Sequence, residues 1–361
     1  VDGSGNVYLT GHFSDTVDFD PGGGTLNLTS AGNTDVYVVK LDSSGNLAWA
    51  RQFGGTGSDE GFSVAVDGSG NVYLTGHFSD TVDFDPGGGT LNLTSAGVKD
   101  VFVSKLDSSG NLVWAKSFGG SSYEQSFSVA VDSSGNVHVT GKFNDTVDFD
   151  PGAGTLNLST ATDHADGFVS KLDSSGNLVW ARIFGGSSNG TDWGNSVAVD
   201  SSGNVYTTGV FVGTVDFDPG EGTLNLSSAG RDAFVWKLDS SGNLVWARHF
   251  GGSPPGCCDF GSGSQWGTSL AVDSSGNVYA SGIFTGATDF DEPGSGTFIL
   301  TTTIYDVYAA KLNSSGNLVW AKQFDGGSQG AVGRRSPAIA VDTSGNVYTT
   351  GYWSGTDDFD P

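Results

Sequence analysis

The sequence predicts an all-β chain assembled from tandem repeats, and three observations carry that prediction. A block reading V-D-x-S-G-N-V begins at Val1, Val66, Val131, Val199, Val272 and Val341, at spacings of 65, 65, 68, 73 and 69 residues. Within each unit, short apolar runs are bounded by Asp, Ser, Gly and Asn, and no segment sustains a helical period. Glycine is the commonest residue, at 58 of 361, and charged residues make up 15%. That balance suits short strands and tight turns, while a 12% aromatic content argues against disorder.

The repeats divide the chain into units 1–65, 66–130, 131–198, 199–271 and 272–340, with a remainder 341–361 that repeats 1–21. Residues 1–32 and 66–97 are identical, which points to recent duplication. Each unit predicts four strands, labelled A to D. In the first full cycle they are Ser63–Asp67, Asn71–Phe78, Asp100–Asp107 and Asn111–Phe118. D-G-S-G-N or D-S-S-G-N joins A to B and C to D, and these residues suit hairpin turns because Gly and Asn accept positive φ. The B–C connection is longer and holds two weaker strand-like pieces, T-V-D-F-D and G-T-L-N-L-T.

Strand B is apolar on both sides, with Val72 and Leu74 opposing Tyr73, and strand D sets Leu112 and Trp114 against Val113 and Ala115. A thin sheet with two apolar faces needs a neighbour on each, which predicts a β-propeller of four-stranded blades over residues 1–361. Five full repeats and a partial sixth leave three arrangements open. A five-bladed ring borrows its first strand from residues 337–342, a six-bladed ring is incomplete, or the chain is a slice of a longer array.

G-N-V-Y-L-T-G-H-F, D-V-F-V-S-K-L-D-S-S-G-N-L-V-W-A-K and the following F-G-G resemble the bacterial β-propeller repeat family abbreviated SBBP. The resemblance spans essentially the whole chain. It implies a propeller in a secreted or surface-attached protein, and it brings no assigned catalytic site or ligand. The D-F-D-P-G insert makes these units longer than plainer members. The chain starts in mid-repeat without Met, and is read as a fragment whose targeting segments lie elsewhere.

Composition excludes some partners. A net charge of −25 is wrong for nucleic acid, and ten of the fifteen Lys and Arg occupy two repeated sites in place of a patch. No run of 18 apolar residues is present to span a membrane. The two cysteines, Cys257 and Cys258, are adjacent, so they form either a strained vicinal bridge or two free thiols. The five histidines have no metal-ligand spacing and no G-x-S-x-G appears, so no enzyme is expected.

Alternating strand direction places the A–B and C–D turns on one face and the B–C and D–A connections on the other. Length variation falls in the D–A connections, so binding is expected on that second face. D-F-D-P-G supplies acid pairs: Asp18 with Asp20, Asp83 with Asp85, Asp148 with Asp150, Asp216 with Asp218, Asp289 with Asp291, and Asp358 with Asp360. Residues i and i+2 of a strand share a side, so each pair is a candidate Ca²⁺ ligand set, with Asp15, Asp80 or Asp145 as a third ligand. The competing reading is turn chemistry with a salt bridge to the repeated Lys.

Trp49, Trp114, Trp180, Trp246 and Trp320 recur inside strand D and read as packing residues. Trp193 and Trp266 stand in D–A connections where other units have Glu60 or Gln125. They read either as sugar-stacking residues or as caps on the core. Arg335 takes the same slot in the last complete connection and, with Arg334, is a candidate for an acidic group. The sequons at Asn27, Asn92, Asn157 and Asn225 follow from strand alternation alone.

The expected function is extracellular binding or adhesion to a surface or matrix protein or glycan. A self-assembling structural subunit and a polysaccharide-acting hydrolase or lyase are the alternatives.

Overall fold

The computed structural model of the chain describes residues 1–186, 190–251, 264–292, 297–324 and 337–351, apart from the side chains at 229, 292 and 304. The described residues form strands and turns, with no helix. None is therefore long and apolar enough to cross a membrane. The chain divides into two compact units, one of Val1–Asp163 with Val169–Ala181 and one of His164–Phe168 with Arg182–Pro361.

In the first unit, strands Glu60–Val66, Val72–Phe78, Asp100–Leu106 and Leu112–Gly120 pair antiparallel in the order A-B-C-D. Val7–Phe13, Asp35–Leu41 and Leu47–Gly55 are the B, C and D strands before them, and Gln125–Val131 with Val137–Phe143 the A and B strands after. In the second unit, A to D strands run Trp193–Val199, Val205–Asp216, Asn225–Leu238 and Leu244–Gly251. Gln265–Val272, Val278–Glu292, Ile299–Leu312 and Leu318–Phe324 repeat that order.

The D-x-S-G-N turns close by one device. Asp107 Oδ1 accepts from Ser109 N and Asn111 N at 2.9 Å each, and its Oδ2 accepts from Asn111 Nδ2 at 2.9 Å. Gly110 takes the left-handed backbone, φ 81°, that the turn requires. In the A–B turns a strand B tyrosine joins in, as where Tyr73 donates to Asp67 Oδ2 at 2.9 Å.

Core forms between consecutive sheets. Tyr8, Val38 and Phe53 of one sheet cluster with Val72, Leu74, Phe102 and Leu106 of the next. Val72, Tyr73 and Leu74 are all fully buried, so strand B is covered on both faces as its pattern requires. Val113 on strand D is half exposed, because D is less completely covered.

Strand D runs two residues past its predicted end. Gly119 pairs with Asp148 and Gly120 with Val147, so the F-G-G segment hydrogen-bonds to the short strand Thr146–Asp148 of the following repeat. That strand pairs in turn with Asn157–Ser159. The insert that lengthens each unit thus extends the preceding sheet. Its phenylalanine lies on the F-G-G phenylalanine, with Phe118 and Phe149 centroids 5.3 Å apart and Phe184 and Phe217 5.6 Å apart.

A second seam explains the repeated cations. Trp49 Nε1 donates to the Ser108 carbonyl at 3.2 Å and Arg51 Nε to the Gly110 carbonyl at 3.0 Å, both in the next C–D turn. Trp246 and Arg248 hold Ser314 and Gly316 in the same way, at 3.1 and 3.0 Å.

Candidate functional site

D-F-D-P-G is a turn in this structure. Asp83 Oδ1 accepts from Asp85 N at 3.0 Å and Leu91 N at 2.8 Å, and Asp85 Oδ1 accepts from Gly87 N at 2.8 Å. Asp18 and Asp20 repeat the pattern. Asp148 Oδ1 accepts from Asp150 N at 3.0 Å and Leu156 N at 2.8 Å, and Asp150 Oδ1 accepts from Gly152 N at 2.8 Å. Asp216 Oδ1 accepts from Asp218 N at 2.9 Å and Leu224 N at 2.8 Å, and Asp218 Oδ1 accepts from Gly220 N at 2.9 Å. Asp289 Oδ1 takes Asp291 N and Phe298 N. Backbone N–H groups of Leu26 and Asp20 hold Asp18 below its ordinary range.

Asp15, Asp80 and Asp145 sit at φ 59–60°, and Gly213 and Gly286 take their place in later repeats. Backbone conformation accounts for that slot. Among the described residues no three His, Cys, Asp or Glu gather as metal ligands. Asp20, Asp85, Asp150 and Asp218, the partners of Asp18, Asp83, Asp148 and Asp216 in the acid pairs, lie in the same turns. Each carboxylate is turned onto a glycine N–H of its own turn, at 2.7 to 2.9 Å, and no third acidic ligand joins it. Asp358 and Asp360 lie outside the described residues.

The second face carries a different cluster at the start of strand A. In each set the A–B register shifts, between Gly61/Ser63, Ser126/Ser128, Gly194/Ser196 and Gly267/Ser269. The extra residues are Phe62, Phe127, Asn195 and Thr268, and such bulges re-aim side chains at a rim. Trp193 and Trp266 were expected in loops. They belong instead to strand A, opposite Val210 and Ile283, because the strand begins three residues earlier than its apolar pattern suggests. The structure brings their strands together, since Asn195 Nδ2 donates to the Gly267 carbonyl at 2.8 Å. Arg334 and Arg335 lie outside the described residues, as do Cys257 and Cys258.

Cations stand over the rings. The Arg231 guanidinium lies 5.9 Å from the Trp193 ring centre, and Tyr305 lies 5.8 Å from Trp266. In the first unit, Lys99 and Lys142 lie 5.6 and 5.9 Å from Tyr123, while Phe62 meets Phe127 edge-on at 5.8 Å. Lys99 Nζ also contacts Glu60 Oε1 at 3.3 Å and donates to His77 Nε2 at 2.7 Å. Burial lowers the His77 pKa, and Glu60 beside His77 and Lys99 is held down to about 2.

Lys99 and Arg231 were not singled out by sequence reasoning, yet a signal was there. Once the ten repeated cations are set aside, Lys99, Lys142, Arg231, Arg334 and Arg335 remain. Lys99 precedes Asp100, which opens its strand C, and Arg231 precedes the matching Asp232 inside Asn225–Leu238. Isolated parallel bridges, Lys99 to Tyr123 and Arg231 to Ser264, hold them against the D–A connection.

A cavity of about 400 Å³ opens on the other face, between neighbouring A–B turns, beside Asp67, Tyr73, Lys105 and Asp132. Its two aspartates are committed to their own turns, as the hydrogen bonds from Ser69 and Ser134 show.

Comparison with known proteins agrees with the repeat reading. The SBBP beta-propeller repeat model matches residues 48–77 and 179–210, each running from strand D through strand A into strand B. An uncharacterized WD repeat-containing protein of Acanthamoeba polyphaga mimivirus is 25% identical over 392 residues, covering 94% of this chain and 28% of its own length. Regulatory protein FlaEY of Caulobacter vibrioides is 30% identical over 140 residues, covering 38% of this chain and 14% of its own length. The chain therefore carries β-propeller repeats and spans less than a third of either relative. The first relative is named as a repeat-containing protein and the second as a regulatory protein.

Proposed function

We propose that the chain is a non-catalytic β-propeller scaffold, built of four-stranded blades with five full repeats and a partial sixth. In this reading it binds a surface or matrix glycan outside the cell through the strand A rim. One observation carries the proposal: in a chain of net charge −25, three of the five cations outside the repeat pattern lie beside aromatic rings at that rim. A ring stacks on the apolar face of a sugar, and a guanidinium pairs with a sugar carboxylate. Acidic glycans therefore suit the Trp193–Arg231 pair better than neutral ones.

The carboxyls with raised pKa are enclosed at 0–1% exposure in Asp59, Glu124 and Asp192, away from any substrate, which favours binding over hydrolysis. Calorimetric titration with polygalacturonate and with dextran tests the proposal. Polygalacturonate binds, dextran binds at least about tenfold more weakly, and Trp193→Ala with Arg231→Ala removes the difference. Equal affinity for both polymers, or none for either, counts against it.

A second reading, self-assembly, has its own support. The Trp and Arg seam grips main-chain carbonyls, which another copy also presents. Light scattering showing only monomer for the intact protein argues against that reading.

A further inference from the structure

Each D–A connection places one residue just before the rim, at Asp59, Glu124, Asp192 and Gln265 in successive repeats. Each stands by a strand C aspartate: Asp35, Asp100 and Asp166 at the strand's start, and Asp232 within Asn225–Leu238. All eight side chains are at most 3% exposed. The paired glycines of F-G-G make this possible. A Cβ on Gly119 would lie 2.3 Å from the Asp100 carboxyl carbon, and Gly120 N donates to Glu124 Oε2 at 2.9 Å. Gly54 with Gly55 and Gly185 with Gly186 serve Asp35/Asp59 and Asp166/Asp192 in the same way.

Two carboxylates enclosed together repel, and in the first two pairs some of their oxygens lack donors. Asp35 Oδ1, Asp100 Oδ1 and Glu124 Oε1 are buried and meet no hydrogen-bond donor in the protein. At the fourth junction Asp232 has as side-chain partners His249 Nδ1, at 3.0 Å from its Oδ2, and the Gln265 amide. With the Gln265 amide turned to satisfy both its ends, Nε2 donates to Asp232 Oδ1 at 3.2 Å and to the Arg231 carbonyl at 2.8 Å. Its Oε1 then accepts from Thr288 Oγ1 at 2.8 Å. An amide nitrogen stands there where a protonated carboxyl would stand in the other three.

We propose that Asp35/Asp59, Asp100/Glu124 and Asp166/Asp192 are each a one-proton binding site, in which a neutral carboxylic acid donates to its neighbouring carboxylate and closes the junction between repeats. The surrounding charges agree. Burial is the main cause that raises Asp59 to about 6, Glu124 to about 7 and Asp192 to about 7. Asp35 repels Asp59 while Lys99 attracts it, Asp100 and Asp145 repel Glu124, and Asp166 repels Asp192. Carboxyls raised above their unfolded values stabilise fully below about pH 4, and that contribution is lost as pH rises through 6 to 7.

Glu124→Gln installs the Gln265 arrangement at the second junction. Thermal unfolding of the full chain between pH 5 and pH 8 is expected to lose one proton's worth of pH dependence in this variant. Its folding equilibrium at pH 8 should exceed that of the parent by about tenfold or more. Carbon-13 NMR of the parent should place the Glu124 carboxyl titration near neutrality.

Three results overturn the proposal. One is a Glu124 carboxyl that titrates near its ordinary value of about 4.3. Another is a variant with unchanged pH dependence. The third is a parent stabilised at pH 8 by millimolar Ca²⁺ when the variant is not, since a cation would then hold the pair. If Glu124→Gln fails to fold, Asp100→Asn puts the amide on the other partner and is read in the same way.

Discussion

Aspartate carries much of this molecule, and its surroundings give it three different jobs. In the C–D turns, Asn46 and Asn111 hydrogen bonds hold Asp42 and Asp107 below their ordinary range. Their stabilisation is present above about pH 4 and is lost as pH falls further. Asp107→Ala leaves two backbone N–H groups and the Asn111 amide without their acceptor. It should lower stability by about 1–2 kcal/mol in urea titration. Asp80 works through its backbone, since its φ of 59° is the conformation Gly213 supplies elsewhere. Asp80→Gly is expected to be tolerated within about 1 kcal/mol. Asp80→Val forces a β-branched residue into the left-handed region and should cost about 2 kcal/mol by the same measurement. The third job is the enclosed acid of the first three D–A connections, whose burial sets it apart from both.

At the scale of elements, F-G-G and D-F-D-P-G make one clasp. Phe149 is fully buried against Phe118, and the flanking Thr146–Asp148 strand pairs with Gly119 and Gly120. Phe149→Ala should destabilise the chain by about 3–5 kcal/mol in chemical denaturation. Gly120→Ala would set a Cβ 2.4 Å from the Thr146 carbonyl oxygen and open the same clasp.

The four strands were legible from alternation and turn residues, because both signals are local. The clasp was not, since Phe118 meets Phe149 across 31 positions (149 − 118) and no local pattern announces the contact. The sequence reads the acid pairs of D-F-D-P-G as candidate metal ligands, and their hydrogen bonds were not legible for a related reason. Side-chain alternation puts both carboxylates on one side, but it does not reveal that turn N–H groups already occupy them. Leu91 N and Gly87 N do so at Asp83 and Asp85, and Gly152 N and Gly220 N at Asp150 and Asp218. Trp193 and Trp266 were found as departures from the repeat. Arg231 was missed because no local pattern in the sequence offered a partner for it.

For the whole molecule, the two classes of shifted aspartate predict opposed pH limits. Turn carboxylates lose their contribution in acid, and enclosed pairs lose theirs towards pH 7. Melting temperature should therefore pass through a maximum near pH 5 and decline on both sides, as calorimetry across pH 3–8 would show. Millimolar Ca²⁺ against chelator at pH 5 should leave that temperature unchanged. A clear rise would mean the D-F-D-P-G carboxylates give up their turn hydrogen bonds to the ion.

The seam in which Trp49 and Arg51 hold the carbonyls of Ser108 and Gly110 has a consequence for how such chains grow. Main-chain oxygens are the same whatever residue carries them, so the joint is indifferent to the identity of the unit it meets. A whole copied repeat, with its C–D turn and its strand D, arrives with both halves of a working joint. Lengthening by duplication then requires no matching substitutions in the neighbour, and rim side chains are left to diverge one repeat at a time.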